Sequence, residues 1–293
     1  MKKYVLRVEN PETVMRWIVA ETVSHGTLRN AYYDFVGNLV DALKLCMREP
    51  ADITLHSYAD LAATKLHLLD PAVSYLNLDS QDSYGISLGV SRQFDFMTGT
   101  QIGITSRPGW EDLPRQIDAI ARTDNNRFGI VEDDIFTGGT LKHMIAFLSE
   151  RDINIETIVS GVSSTKTING IPVHSALYIE PKQLLELTDP RDYIFGAQNG
   201  GLVVTHMQQK TRVPYCAPFT DVGQRSSISV SKTKVFSQMV AEANITLHST
   251  LQTLNIPAKM LYPASVLEAI HMNEVFSIGD LLKRIAHGER DTF

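Results

Sequence analysis

The sequence predicts a mixed α/β protein centred on a parallel sheet flanked by helices, and three observations carry that prediction. The first is a passage in which the apolar run Phe128-Gly129-Ile130-Val131 leads through a turn into a helix-period stripe of Leu141, Met144, Ile145 and Leu148. The β-branched run Ile155–Val162 follows. Strand, loop, helix and strand within about thirty residues make one βαβ unit, whose strands are parallel. The second is a set of short β-like runs upstream of this unit. The third is a pair of amphipathic helical regions, one at each end of the chain.

The first fifty residues read as helical. Val36, Leu39, Val40, Leu43 and Met47 share one helix face that stops near Pro50, and a shorter helix over Glu12–Val23 follows Pro11. Between Asp52 and Gly109 the strand candidates are Val73–Leu78, Gly85–Val90 and Gln101–Thr105, punctuated by Pro71, Gly99 and Arg107-Pro108-Gly109. Beyond the βαβ unit, Ile171–Ile179 and either Tyr193–Phe195 or Gly201–Thr205 supply further strands. The last ninety residues turn helical, with Val235, Phe236, Met239, Val240, Ala243, Leu247, Leu251 and Leu254 on one long stripe ending near Pro257. Val266–Met272 and Ile278–Ile285 form two more helices. A boundary falls near 205–230, or else these helices share the main core.

Composition narrows the function. The chain has 293 residues, 27 Lys and Arg against 33 Asp and Glu, a net charge of −6 and 43% hydrophobic residues. That length buries one large core or two modest ones. Mild acidity with scattered signs disfavours a nucleic-acid surface, which needs a basic face. The two cysteines, Cys46 and Cys216, have no metal-ligand or disulfide-framework spacing, so a reducing compartment is the simpler expectation. No signal peptide is expected at the start, because Arg7, Glu9 and Asn10 break the apolar run. No stretch of about 18 apolar residues suggests a membrane span. A cytoplasmic protein is expected.

The most informative stretch is Phe128-Gly-Ile-Val-Glu-Asp-Asp-Ile-Phe-Thr-Gly-Gly-Thr140. A buried strand delivers Glu132, Asp133 and Asp134 to its C-terminal end, where ligands bind in open α/β sheets. The glycine turn lets backbone N–H groups approach an anion, and the helix opening near Thr140 favours a phosphate through its unpaired N–H groups and dipole. Thr137 and Thr140 add hydroxyls. Carboxylates beside a phosphate cradle suit ribose hydroxyls or a divalent cation rather than the phosphate itself. The pieces describe a sugar-phosphate site. The same stretch also reads as an acidic surface turn with Thr140 capping a helix.

This segment resembles the signature of the type I phosphoribosyltransferases, which bind phosphoribosyl pyrophosphate (PRPP) on a strand, two adjacent acids, a small turn and a helix. The resemblance implies that Glu132 and Asp133 hold the ribose hydroxyls and that Thr137-Gly138-Gly139-Thr140 holds the 5′-phosphate. A register shifted by one would pair Asp133 with Asp134 instead, and Asp134 remains a participant. Asp134 departs from the family's usual apolar residue. Phe136 stands where the family has Asp or Thr, and could stack on a ring. The implied organisation is a helical N-terminal segment (1–50), a phosphoribosyltransferase-like α/β core (51–210) and a helical C-terminal region (211–293).

By the same resemblance, Ser87-Leu-Gly-Val-Ser-Arg92 is the candidate pyrophosphate loop, and Arg107 the candidate for covering pyrophosphate from a mobile loop. An ordinary strand end and a bland turn are the alternatives. Phe195 is the candidate aromatic over the acceptor ring, unless it is a core residue. The expected activity is phosphoribosyl transfer from PRPP to a small nitrogenous acceptor, with a homodimer allowed. Mg²⁺ would be bound through the substrate, with Glu132 and Asp133 as its closest protein groups and no directly held metal. Two other readings stay open: a non-catalytic PRPP or nucleotide sensor, and related chemistry on another ribose-diphosphate donor, such as an ADP-ribosyl one.

Overall fold

The computed structural model of the chain describes residues 1–16, 18–19, 21–78, 84–123, 125, 127–272 and 274–288. In chain order the strands are β1 (Lys2–Val8), β2 (Ala51–Ser57), β3 (Ser74–Asn77), β4 (Ile86–Ser87), β5 (Val90–Asp95), β6 (Gln101–Ser106), β7 (Arg127–Ile135), β8 (Asn154–Ser163), β9 (Thr167–Ile168), β10 (Ile171–Tyr178), β11 (Leu184–Thr188), β12 (Leu202–His206) and β13 (Gln209–Val213). The helices are α1 (Pro11–Met15), α2 (His25–Cys46), α3 (Tyr58–Leu66), α4 (Leu113–Ala121), α5 (Gly139–Ser149), α6 (Val222–Arg225), α7 (Thr233–Thr250), α8 (Ala264–Ala269) and α9 (Ile278–Ala286).

The central sheet has the order β4-β3-β7-β8-β10-β9, parallel throughout except for β9 against β10. The parallel βαβ expectation therefore holds: β7 and β8 pair side by side, with α5 as the crossover. Because side chains alternate along a strand, Phe128 and Ile130 pack on Leu141, Met144 and Leu148 of α5 and on Leu113, Ile117 and Ile120 of α4. Val131 points the other way, toward Tyr75 and Val159. Gly161 of β8 sits beside Asp133, where a Cβ would lie 2.7 Å from the Asp133 carbonyl oxygen. Glycine there lets the acid-bearing strand end approach its neighbour.

Two smaller sheets border the central one. One is parallel, with β1 between β11 and β2; the other, β13-β12-β5-β6, is mixed, with β12 parallel to β5. A large apolar core draws on α2, on 185–222 and on the C-terminal helices, so both chain ends pack into one body. α2 begins where Ser24 Oγ accepts from Thr27 N, and α9 begins at a Ser277–Asp280 capping box. No helix among the described residues is long and apolar enough to cross a membrane.

The N-terminal expectation needs correction. Residues 2–8 are a strand, because Tyr4, Val5 and Leu6 are all fully buried at the centre of a three-stranded sheet. Such a short unbroken apolar run carries neither helix nor strand periodicity. The expected helix over Glu12–Val23 is the five-residue α1, with Trp17 and Ala20 outside the described residues. Of the two later strand options, Gly201–Thr205 corresponds to β12, whereas Pro190–Tyr193 is a 3-10 turn. The expected boundary at 210/211 falls inside β13.

Candidate functional site

β7 ends in Glu132, Asp133, Asp134 and Ile135, and the chain turns through Phe136 to Gly138, which adopts the left-handed conformation (φ +69°) as the residue before α5. Glycine takes that conformation without a Cβ penalty. Ser164, just after β8, holds the turn by donating its N–H to Ile135 O (2.9 Å) and its hydroxyl to Phe136 O.

The three acids face a polar cavity of about 180 Å³. Its lining holds Glu132, Asp133, Asp134 and Thr140 together with Asp189, Arg191 and Asp192 from the turn after β11. The mixed sheet and its connections add Ser91, Arg92, Arg107, Gly201 and Arg212 to the lining, and Gly201 N donates to Asp192 Oδ1 (2.8 Å). A cavity this small suits part of a ligand, since sites enclosing a whole drug-sized molecule run to roughly 300–1,000 Å³.

Behind the acids lies a buried ion network. Arg7 of β1 is 1% exposed; its Nη2 donates to Asp133 Oδ2 (2.7 Å) and Asp189 Oδ2 (2.5 Å), and its Nε to Asp189 Oδ1 (2.9 Å). The same Nη2 lies 3.7 Å from Asp134 Oδ2. Arg191 Nη2 donates to Asp189 Oδ2 (2.8 Å) and Asp133 Oδ2 (3.3 Å), while its Nε lies 2.8 Å from Glu9 Oε1. Asp133 Oδ1 accepts from Asp134 N (2.8 Å), so both oxygens of Asp133 are engaged. The Tyr58 ring lies 5.4 Å from the Arg7 guanidinium carbon.

Electrostatics separate the neighbouring acids. Burial opposes ionisation of Asp133, but Arg7, Glu132 as a hydrogen-bond partner and Arg191 together hold its carboxyl well below the ordinary range. Burial pushes Glu132 well up, and the Asp133 charge adds to it. Burial and then Asp133 likewise push Asp134 well up. Burial, reinforced by Asp189, raises Asp192 to about 6. Burial together with Arg107 and Arg191 lowers Arg212 to about 9. Among the described residues neither Arg92 nor Arg212 makes a close ion pair with a carboxylate; Arg212 donates to Gly200 O (3.2 Å) and Ser91 Oγ (3.4 Å). Crowded guanidiniums without a paired carboxylate favour an incoming anion.

The sequence-derived candidates divide. Glu132, Asp133, Asp134, Thr140, Arg92 and Arg107 meet around one cavity. Arg107 also straps its walls together, donating Nε to Val90 O (3.0 Å) and Nη2 to Leu78 O. Thr137, Gly138 and Gly139 form the turn at its edge but do not line it. Phe136 is 37% exposed and stands outside the cavity, and Phe195 is fully buried against Phe219 and Tyr262, as its reading as a core residue expects. Sequence reading missed Arg7, Asp189, Arg191 and Arg212. The available signal was a charge set inside an otherwise apolar run, as at Arg7, and the dense Asp189-Pro-Arg-Asp192 cluster.

Asp133, Asp134 and Asp189 offer carboxylate oxygens within 4.8 Å of one another, a donor set that suits Mg²⁺ or Ca²⁺. The arrangement does not fit a protein-held ion, because Arg7 Nη2 stands among the three at 2.5–3.7 Å. No protein-family model, no curated protein and no solved structure significantly matches this chain.

Proposed function

We propose that the cavity binds PRPP on a type I phosphoribosyltransferase-like core and that the chain transfers the phosphoribosyl group to a nitrogenous acceptor, releasing pyrophosphate. One observation supports this above the others: a single polar cavity is lined by the carboxylates at the end of β7, by Arg92 and Arg212, and by Thr140 at the start of α5. A ligand with hydroxyls at one end and dense negative charge at the other matches that lining.

In this reading Thr140 and the first N–H groups of α5 take the 5′-phosphate. Glu132 and Asp134 meet the ribose hydroxyls, since Asp133 is occupied by the two arginines. Burial keeps Glu132 and Asp134 protonated to unusually high pH, so they can donate as well as accept hydrogen bonds. Arg92 and Arg212 take the diphosphate as the C1–O bond breaks and the leaving group carries off the electron pair. The acceptor nitrogen then forms the new bond to C1 with its lone pair and gives up its N–H proton to the released pyrophosphate or to solvent. Any Mg²⁺ enters with the donor's diphosphate, and no step is assigned to it.

Incubation with PRPP, Mg²⁺ and a panel of nitrogenous bases tests this by release of pyrophosphate. A sensor is the second reading, favoured by the commitment of Asp133 to Arg7 and Arg191. Saturable PRPP binding with no turnover on any acceptor would select it. Absence of ribose-phosphate binding, with or without Arg212, would remove both.

A further inference from the structure

We propose that Arg7 is the resident cation of the Asp133–Asp134–Asp189 cluster, its guanidinium taking the seat of a divalent metal, so that the chain itself holds no metal there. The three carboxylates are spaced as an ion's ligands would be, with oxygens within 4.8 Å of one another. A divalent ion would sit about 2.0–2.6 Å from each oxygen. The position between them is filled by one nitrogen, Arg7 Nη2, at 2.7 Å from Asp133, 2.5 Å from Asp189 and 3.7 Å from Asp134.

The guanidinium is held where it is. Nε and Nη2 grip both oxygens of Asp189 as a fork. The backbone of Arg7 lies in the central strand of its sheet, opposite His56 of β2, and the side chain is 1% exposed. Charge balance points the same way. Arg7 and Arg191 both pair with Asp133 and with Asp189, two guanidiniums against two carboxylates. A divalent ion added to this set would meet two guanidiniums at close range. Arg7 is thus a positioning residue: it fixes Asp133 and Asp189 without a metal that could exchange. The inference does not depend on PRPP being the ligand, because it concerns the chain alone.

The test is a Mn²⁺ titration of the full chain without ligand, followed by electron paramagnetic resonance of the free ion. Wild type is expected to show no saturable site. Arg7→Met, which removes the cation and keeps the bulk, is expected to gain one Mn²⁺ per chain, bound at least about tenfold more tightly than by wild type. Adding Asp134→Asn should abolish that site. Saturable Mn²⁺ binding by wild type that Asp134→Asn removes would overturn the proposal, and so would a folded Arg7→Met that binds Mn²⁺ no better than wild type. Should Arg7→Met fail to fold in chelator, recovery of its fold by Mn²⁺ supports the proposal. Without recovery, the comparison of wild type with Asp134→Asn decides alone.

Discussion

Replacing Glu186 by glutamine should change how stability depends on pH. Glu186 lies in β11, buried, where Oε2 accepts from Ser227 Oγ (2.8 Å) and Oε1 from Leu187 N (3.3 Å). Burial raises its pKa from 4.5 to about 7, against the opposing pull of those two hydrogen bonds and of Arg48 and Arg92. Between these values the folded protein holds a proton that the unfolded chain has released, so stability falls as pH rises from about 4.5 to 7. At 1.36 kcal/mol for each factor of ten in proton affinity, the loss is about 3 kcal/mol. Below pH 4.5 both states are protonated and the penalty vanishes. Urea unfolding of wild type and Glu186→Gln at pH 4.5 and pH 8 isolates this contribution as a double difference, which cancels any change in packing common to both pH values. The glutamine variant should gain about 3 kcal/mol relative to wild type on going to pH 8. A double difference within about 1 kcal/mol of zero would refute the reasoning.

Asp189→Asn should destabilise the fold by about 3 kcal/mol in urea unfolding, because two buried guanidiniums then lose the carboxylate that both of them grip. Asp133→Asn should flatten the acid limb of the stability profile. Its depressed carboxyl contributes fully above the ordinary value of 3.8, and that contribution is lost as pH falls toward the lower folded value. Arg212→Met should weaken PRPP binding in calorimetry by about tenfold or more, the worth of a charge-assisted hydrogen bond in a buried cavity, and Arg92→Met should act in the same direction. Unchanged affinity in both variants would remove the two arginines from the site.

Much of the central sheet was legible because its signals are local. The βαβ unit is announced by an apolar run, a glycine turn and a helical stripe, and α7 and α9 by periodicity sustained over several turns. What escaped were strands whose burial depends on distant partners. β2 has no fully buried residue and breaks alternation at Ile53-Thr54, and β11 is five buried residues that include a glutamate. β5 carries Arg92 and Asp95 within six residues. The site divides in the same way. Its acids were readable from one contiguous motif, whereas Arg7 and Asp189 come together from neighbouring strands of one sheet and Arg212 from another, and no spacing in the sequence relates them.

The adjacent acids at the end of β7 divide their labour because a strand turns alternate side chains to opposite faces. Phe128 and Ile130 face α4 and α5, and Glu132, two residues further on, lines the cavity. Val131 points to the other layer, and Asp133 continues on that side to meet Arg7 from β1. The motif's central acid thereby becomes a joint between two sheets, held by two guanidiniums that pull its carboxyl well down, while burial pushes the carboxyls on either side of it up. Exchanging these roles would need a shift of one residue in β7, which would also turn Phe128 and Ile130 out of the core that α5 covers. The register that seals the core is therefore the one that brings Asp133 to Arg7.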